Sequence, residues 1–131
     1  MTDETGHRGY AAAVDQAERM LGFRLEPFLV TKPSAPANAD DFMRIATIQA
    51  FGDAWPRTEY LDVPSRALVS VTIAATLGVL EPLRGQLRIA LNNGVTKEQI
   101  VETFIQIAAY AGVARAFEGY GIAAEVFSEG S

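Results

Sequence analysis

The chain has 131 residues, of which 49% are hydrophobic and 21% are charged, and its formal net charge is −5. This composition is typical of globular proteins and predicts a single folded domain over residues 1–131. The eleven basic residues form no cluster, which disfavours nucleic acid or an anionic membrane as a partner, because phosphate binding requires a basic surface. The absence of cysteine excludes disulfides, thiolate metal sites and thiol redox chemistry.

The first nine residues lack the apolar stretch of a signal peptide. No segment approaches the run of about 18 apolar residues that crosses a bilayer, so we expect a cytoplasmic protein. The single histidine, His7, lies in a polar N-terminal segment. It offers neither a catalytic dyad nor a histidine metal site, and we assign no metal and no cofactor.

Two helices are predicted in the N-terminal part of the chain. The first spans residues 8–21 and ends at Gly22; its apolar residues recur at helical spacing, at Ala11, Val14, Ala17, Met20 and Leu21. Prolines at 27, 33 and 36 predict an extended connection over residues 24–39. The second helix begins near residues 38–41, where Asn38, Asp40 and Asp41 can cap backbone N–H groups, and runs to about Ala54. Residues 55–63 are predicted to form a loop.

The third predicted helix begins at the capping residue Asp62, has Pro64 in its first turn and ends at Leu77. Residues 69–73 alternate as a strand would, but the alanines at 67, 74 and 75 favour a helix. Few polar residues interrupt this segment, so we expect it to be the central buried element.

The fourth predicted helix starts near Pro82 and closes before Gly94, which can adopt the left-handed conformation of a helix end. Thr96 and Gln99 predict a capping box that starts the fifth helix. Val101 and Ile105 widen the apolar face of that helix, so it needs two neighbours, one of which can be another subunit. A last helix is predicted over residues 113–127.

Several polar residues stand out along the fourth helix. Gln86 has Pro82, Leu83, Ile89 and Ala90 as its neighbours on the helix surface, so it is a polar group on an apolar face. It needs a hydrogen-bond partner, which can be a ligand or a backbone carbonyl. Glu81, Arg84 and Arg88 are spaced for a ladder of surface ion pairs.

Motifs along nearly the whole chain resemble the gamma-carboxymuconolactone decarboxylase family, which belongs to the alkylhydroperoxidase D-like superfamily. In order they are Trp55-Pro56-Arg57, Leu61-Asp62, Arg66-Ala67-Leu68-Val69, Leu91-Asn92-Asn93-Gly94-Val95-Thr96 and Tyr110-Ala111-Gly112-Val113. The resemblance implies an all-α subunit of about six helices that assembles as a homo-oligomer, a trimer or hexamer. It also implies interfacial pockets for a small-molecule substrate, a lactone carboxylate.

The chain departs from the family pattern in two places. Gln86 replaces the histidine that the family usually carries, and Ala111 stands where a cysteine is common. The sister group of alkylhydroperoxidase D proteins uses a Cys-x-x-Cys pair where residues 79–82 read Val-Leu-Glu-Pro. Thiol peroxidase activity by that route is therefore excluded.

Decarboxylating a lactone carboxylate requires stabilisation of an enolate-like oxygen and delivery of a proton to carbon, and it needs no cofactor. Gln86 can donate hydrogen bonds to the oxyanion, but its amide cannot donate a proton at neutral pH. Glu102 or Glu118, with a pKa raised by burial, or the phenol of Tyr110 can serve as the acid.

Substrate-binding roles are predicted for three further residues. Arg66 or Arg88 can hold a substrate carboxylate by paired hydrogen bonds, and Trp55, which is otherwise a core residue, can form the wall of the pocket. Three functions remain open: a decarboxylase or a relative redirected to cyclise or isomerise a carbonyl compound, a ligand-binding protein without catalysis, and a structural oligomer. Aromatic-ring degradation and secondary metabolism are the two pathways that fit an enzyme.

Overall fold

The computed structural model describes residues 2–129, with side chains from residue 9 onward, and this part of the chain is helical without strands. The all-α prediction is therefore confirmed. The described residues form two compact units, one ending at Tyr60 and the other beginning at Leu61, and the single domain over residues 1–131 stays a prediction. The elements are α1 (Thr2–Leu21), a 3-10 turn (Glu26–Phe28), α2 (Ala39–Thr47), a π-helical segment (Ile48–Ala54), α3 (Val63–Leu77), α4 (Leu80–Asn92), α5 (Lys97–Ala111) and α6 (Val113–Ser128).

In the first unit, α1 packs against α2 and the π-helical segment. The buried residues of α1 are Ala13, Val14, Ala17, Met20 and Leu21. Ala11, predicted to share this face, is exposed. Its position lies about 200° around the helix axis from Ala13, so the two residues point in opposite directions.

The start of α2 differs from the prediction. The side chain of Asn38 makes no capping hydrogen bond. Asp40 instead accepts a hydrogen bond from the Thr31 hydroxyl at 2.9 Å, and Asp41 pairs with Arg44 at 3.2 Å. The prediction that these side chains cap the helix by hydrogen bonds is therefore wrong. The carboxylates of Asp40 and Asp41 still lie at the positive end of the helix dipole.

In the second unit, α3 contacts α4, α5 and α6, and α6 likewise contacts the other three helices, so α3 shares the predicted central position with α6. The carboxylate of Asp62 accepts a hydrogen bond from the Ser65 N–H at 2.9 Å, and Gly78 ends the helix with a φ of 72°. Only one face is buried, with Ala67, Val71, Ala74 and Ala75. Val69, Ile73 and Leu77 are 48%, 53% and 64% exposed, so an apolar stripe remains on the other side.

The turn between α4 and α5 follows the predicted pattern. Gly94 has a φ of 95°, in the region that favours glycine. The Thr96 hydroxyl accepts a hydrogen bond from the Gln99 N–H at 3.0 Å, and the Gln99 side chain accepts one from the Thr96 N–H at 2.9 Å. The predicted capping box is confirmed.

Replacing Thr96 by alanine should lower the free energy of unfolding by about 1 kcal/mol, because the substitution leaves the Gln99 N–H without its acceptor. Urea unfolding of wild type and variant measures the difference. Thr96→Ser retains the hydroxyl and should stay close to wild type. Equal losses in both variants would show that the Thr96 methyl group, and not the cap, carries the effect.

Candidate functional site

Gln86 lies on α4, which packs against both α3 and α6. The neighbouring side chains on this helix, Leu83, Leu87, Ile89 and Ala90, are buried. Gln86 itself is half-buried, and its Oε1 atom is buried without a hydrogen-bond partner. A buried polar atom of this kind costs about 1 to 3 kcal/mol. The predicted polar group on an apolar face is therefore present, and its oxygen is available to a donor.

The arginines of α4 face away from Gln86, because Arg84 and Arg88 each lie about 200° from it around the helix axis. The guanidinium of Arg88 donates from Nε and Nη2 to the two carboxylate oxygens of Glu129, at 3.1 and 2.6 Å. Arg84 donates to Glu81 at 3.4 Å and to Glu125 at 3.2 Å. The predicted ladder along α4 is thus partly an ion-pair network between α4 and α6. A substrate carboxylate at Arg88 would compete with Glu129.

The Arg88–Glu129 pair predicts how the melting temperature depends on pH. The hydrogen bond from Arg88 holds the pKa of Glu129 below its ordinary value of 4.5. A carboxylate with a lowered pKa stabilises the fold fully above the unfolded value and loses that contribution as pH falls through the folded pKa. The melting temperature should therefore fall below about pH 4.5, and less steeply in Glu129→Gln than in wild type. Thermal melts across acidic pH test this, and parallel curves for the two proteins would contradict it.

The predicted acids lie on surfaces of the second unit. Glu102 is exposed on α5, and Glu118 is exposed on α6, where it pairs with Arg115 at 3.2 Å. Their predicted burial is therefore wrong within one chain, because both positions lie outside the helix faces that meet in the core. Tyr110 is 86% exposed at the end of α5.

The remaining predicted residues lie elsewhere. Arg66 is half-buried near the start of α3. Trp55 belongs to the first unit, where it is 6% exposed and its ring stacks on Phe51 with centroids 6.5 Å apart and an interplanar angle of 9°. This packing supports the interpretation of Trp55 as a core residue. The role of Trp55 in the wall of a pocket stays a prediction.

A pocket of about 260 Å³ with a mostly apolar surface lies between α3 and α5. Its lining residues are Thr72, Thr76, Thr103, Gln106, Ile107, Tyr110 and Ala111. Of the seven predicted site residues, Tyr110 lines this pocket and the other six do not. Sequence reasoning missed the threonines, although the four-residue spacing of Thr72 and Thr76 places them on one face of a helix.

A second, apolar groove of about 300 Å³ lies between α5 and α6. It is lined by Val101, Phe104, Ile105, Ala108, Val113, Ala116, Phe117 and Tyr120. None of the predicted site residues lines it. Phe117, at 73% exposure, and Ile105, at 57%, form its outer walls.

In the described part of the chain, no group of three histidine, cysteine, aspartate or glutamate side chains is arranged to hold a metal ion. No helix among these residues is long and apolar enough to span a bilayer. The side chain of His7 lies outside the described residues.

Comparisons with known proteins agree on one family. The model of the carboxymuconolactone decarboxylase family matches residues 40–125. The chain is also 34% identical over 89 residues to a 4-carboxymuconolactone decarboxylase of Acinetobacter baylyi. That alignment spans 68% of this chain and 66% of the relative, which is just under two thirds of the relative's length.

Proposed function

Because the chain belongs to the carboxymuconolactone decarboxylase family, we propose that it is a cofactor-independent lyase acting on a lactone carboxylate or a related carbonyl compound. Membership supports a decarboxylase-like function at the level of the family. The observation that supports Gln86 as a residue of the site is its carboxamide oxygen, which is buried and has no hydrogen-bond partner. It lies where the family resemblance places a histidine.

The proposed reaction breaks the bond between the ring carbon and the carboxylate. Carbon dioxide leaves, and the bonding electrons move into the conjugated carbonyl to form an enolate. A proton then adds to carbon and restores the carbonyl. The protein must therefore stabilise negative charge on one oxygen and supply one proton.

In this scheme the Gln86 amide binds the reacting carbonyl group. A half-turn about its terminal torsion exchanges Oε1 and Nε2, so the same buried position can present a donor to the enolate oxygen. The amide cannot supply the proton, and Glu102 or Tyr110 is the proposed acid. Arg66 is the proposed partner of the substrate carboxylate, because Arg88 faces away from Gln86 and pairs with Glu129.

We further propose that the chain assembles as a homo-oligomer, a trimer or hexamer, and that it acts in the cytoplasm. The exposed stripe of Val69, Ile73 and Leu77 on α3 supports assembly, as does the groove beside Phe117. Apolar surface of this kind is stabilised when another subunit removes it from water. Glu102, exposed in one chain next to Val101 of that groove, would then be covered by a neighbour.

Incubation of the purified protein with 4-carboxymuconolactone tests the reaction. We expect carbon dioxide release above the rate without enzyme, together with loss of the carboxylate in the product. An isomerised or cyclised product without carbon dioxide would favour the redirected activity. If 4-carboxymuconolactone remained unchanged, it would not be the substrate that we propose.

Light scattering tests the proposed assembly, and a stable monomer at micromolar concentration would contradict it.

A further inference from the structure

The pocket between α3 and α5 has a few hydrogen-bonding groups, in a pattern that suits a particular ligand. Thr72 and Thr76 face it from α3, and Thr103, Gln106 and Tyr110 face it from α5. The spacings of four residues on α3 and of three and seven on α5 each keep the side chains on one helix face. Two polar stripes therefore face each other across the pocket.

Two of the hydroxyl groups have already used their protons. The Thr72 hydroxyl donates to the Leu68 carbonyl at 2.8 Å, and the Thr103 hydroxyl donates to the Gln99 carbonyl at 2.8 Å. Each oxygen retains lone pairs and can only accept a further hydrogen bond. The pocket thus presents one acceptor from each of its two helices, and a ligand must bring the donors.

Three other polar side chains at the pocket have no partner among the described residues: the Thr76 hydroxyl, the Gln106 amide and the Tyr110 phenol. Thr76 and Gln106 are exposed, and Tyr110 is 86% exposed. These groups can donate or accept, so they can adapt to a bound hydroxyl group.

The pocket is uncharged, and most of its surface is apolar. No lining residue carries a charge at neutral pH, so a carboxylate or ammonium group would find no counter-ion there. Ile107, which is 3% exposed, and Ala111 supply an apolar surface, and the Tyr110 ring can pack against a flat molecule. The volume of about 260 Å³ suits a single ring.

We propose that this pocket is a second small-molecule site, which binds a neutral, single-ring compound carrying two hydroxyl groups. The ring packs between Ile107 and Tyr110, and its hydroxyl groups donate to the oxygens of Thr72 and Thr103. Gln86 does not line this pocket. Tyr110, one of the two proposed acids, does line it, so the two proposals share this residue at most and differ in the charge of the ligand.

Titration of the full chain with resorcinol, followed by NMR of labelled threonine methyl groups, tests the proposal. We expect saturable shifts at Thr72, Thr76 and Thr103. The double variant Thr76→Val/Gln106→Leu should weaken binding about tenfold, because it removes two adaptable partners. Thr58→Val, at an exposed threonine of the first unit, is the matched control and should bind like wild type. Circular dichroism establishes that each variant is folded.

Two analogues sharpen the test. 1,3-Dimethoxybenzene keeps the ring but cannot donate hydrogen bonds, and 3-hydroxybenzoate replaces one hydroxyl group by a carboxylate. Both should bind at least about tenfold more weakly than resorcinol. Equal binding of either analogue, or resorcinol shifts that omit the three threonines, would overturn the proposal. Gln86→Leu should retain resorcinol binding even where it abolishes turnover, so failure of one proposal is distinguishable from failure of the other.

Discussion

Replacing Gln86 by leucine should reduce turnover of a lactone carboxylate by about two to three orders of magnitude, the usual effect of losing one oxyanion donor. The same change should leave stability unchanged or raise it. Leucine fills the volume of glutamine but removes a buried oxygen that has no partner. Steady-state kinetics and urea unfolding on the same samples measure both effects. A fall in activity with no fall in stability is the pattern expected of a residue kept for function.

Gln49→Leu is the matched control, because Gln49 is an exposed glutamine in the π-helical segment. The Gln49→Leu substitution should change neither kcat nor KM. If Gln86→Leu instead destabilised the fold at unchanged turnover, Gln86 would be a structural residue. The chemistry would then lie elsewhere.

Gln86→His tests the same position in the opposite direction. Imidazole can both donate a hydrogen bond and transfer a proton near neutral pH, whereas an amide can only donate the hydrogen bond. If the site accepts a lactone carboxylate, the variant should decarboxylate faster than wild type. Its rate should depend on pH with a midpoint near about 6.5. A pH-independent rate equal to that of wild type would argue against a reacting group at this position.

Gly119→Ala should lower the free energy of unfolding by about 1 to 3 kcal/mol, the usual cost of overpacking. A Cβ atom at Gly119 would lie 2.5 Å from Cε1 of Phe104 and 3.3 Å from Cβ of Ala75. Phe104 is 5% exposed and packs edge-on against Tyr120, with ring centroids 6.3 Å apart. The buried ring or the backbone of α6 must therefore move to make room for the added methyl group. Urea unfolding measures the loss.

Gly121 provides the control two residues further along α6. A Cβ atom there meets nothing within 4 Å, and the position is exposed. Gly121→Ala should raise stability by about 0.5 to 1 kcal/mol, because alanine loses less backbone entropy in a helix. The two substitutions should therefore have opposite signs. Equal effects would show that close packing at Gly119 does not set the approach of α6 to α3 and α5.

The confirmed predictions rest on signals that involve residues close together in the sequence. Asp62, Thr96 and Gly94 lie at helix ends whose hydrogen bonds or backbone angles involve only a few neighbouring residues. Gln86 was identified on an apolar helix face by spacing alone, and the structure places it there. The family, too, was identified from short motifs in a fixed order, and the family model confirms it.

The sequence by itself thus determined the helical class, most helix boundaries, the family and the position of Gln86. Only the tertiary structure decided which partners distant side chains meet. Arg88 of α4 binds Glu129, which directly follows α6. Glu102 lies on the outside of α5, and Thr72 and Thr103 face one pocket. Helical periodicity gives the direction of a side chain relative to its own helix. It does not give the rotation and spacing of one helix against another, which depend on the packing of all their side chains together.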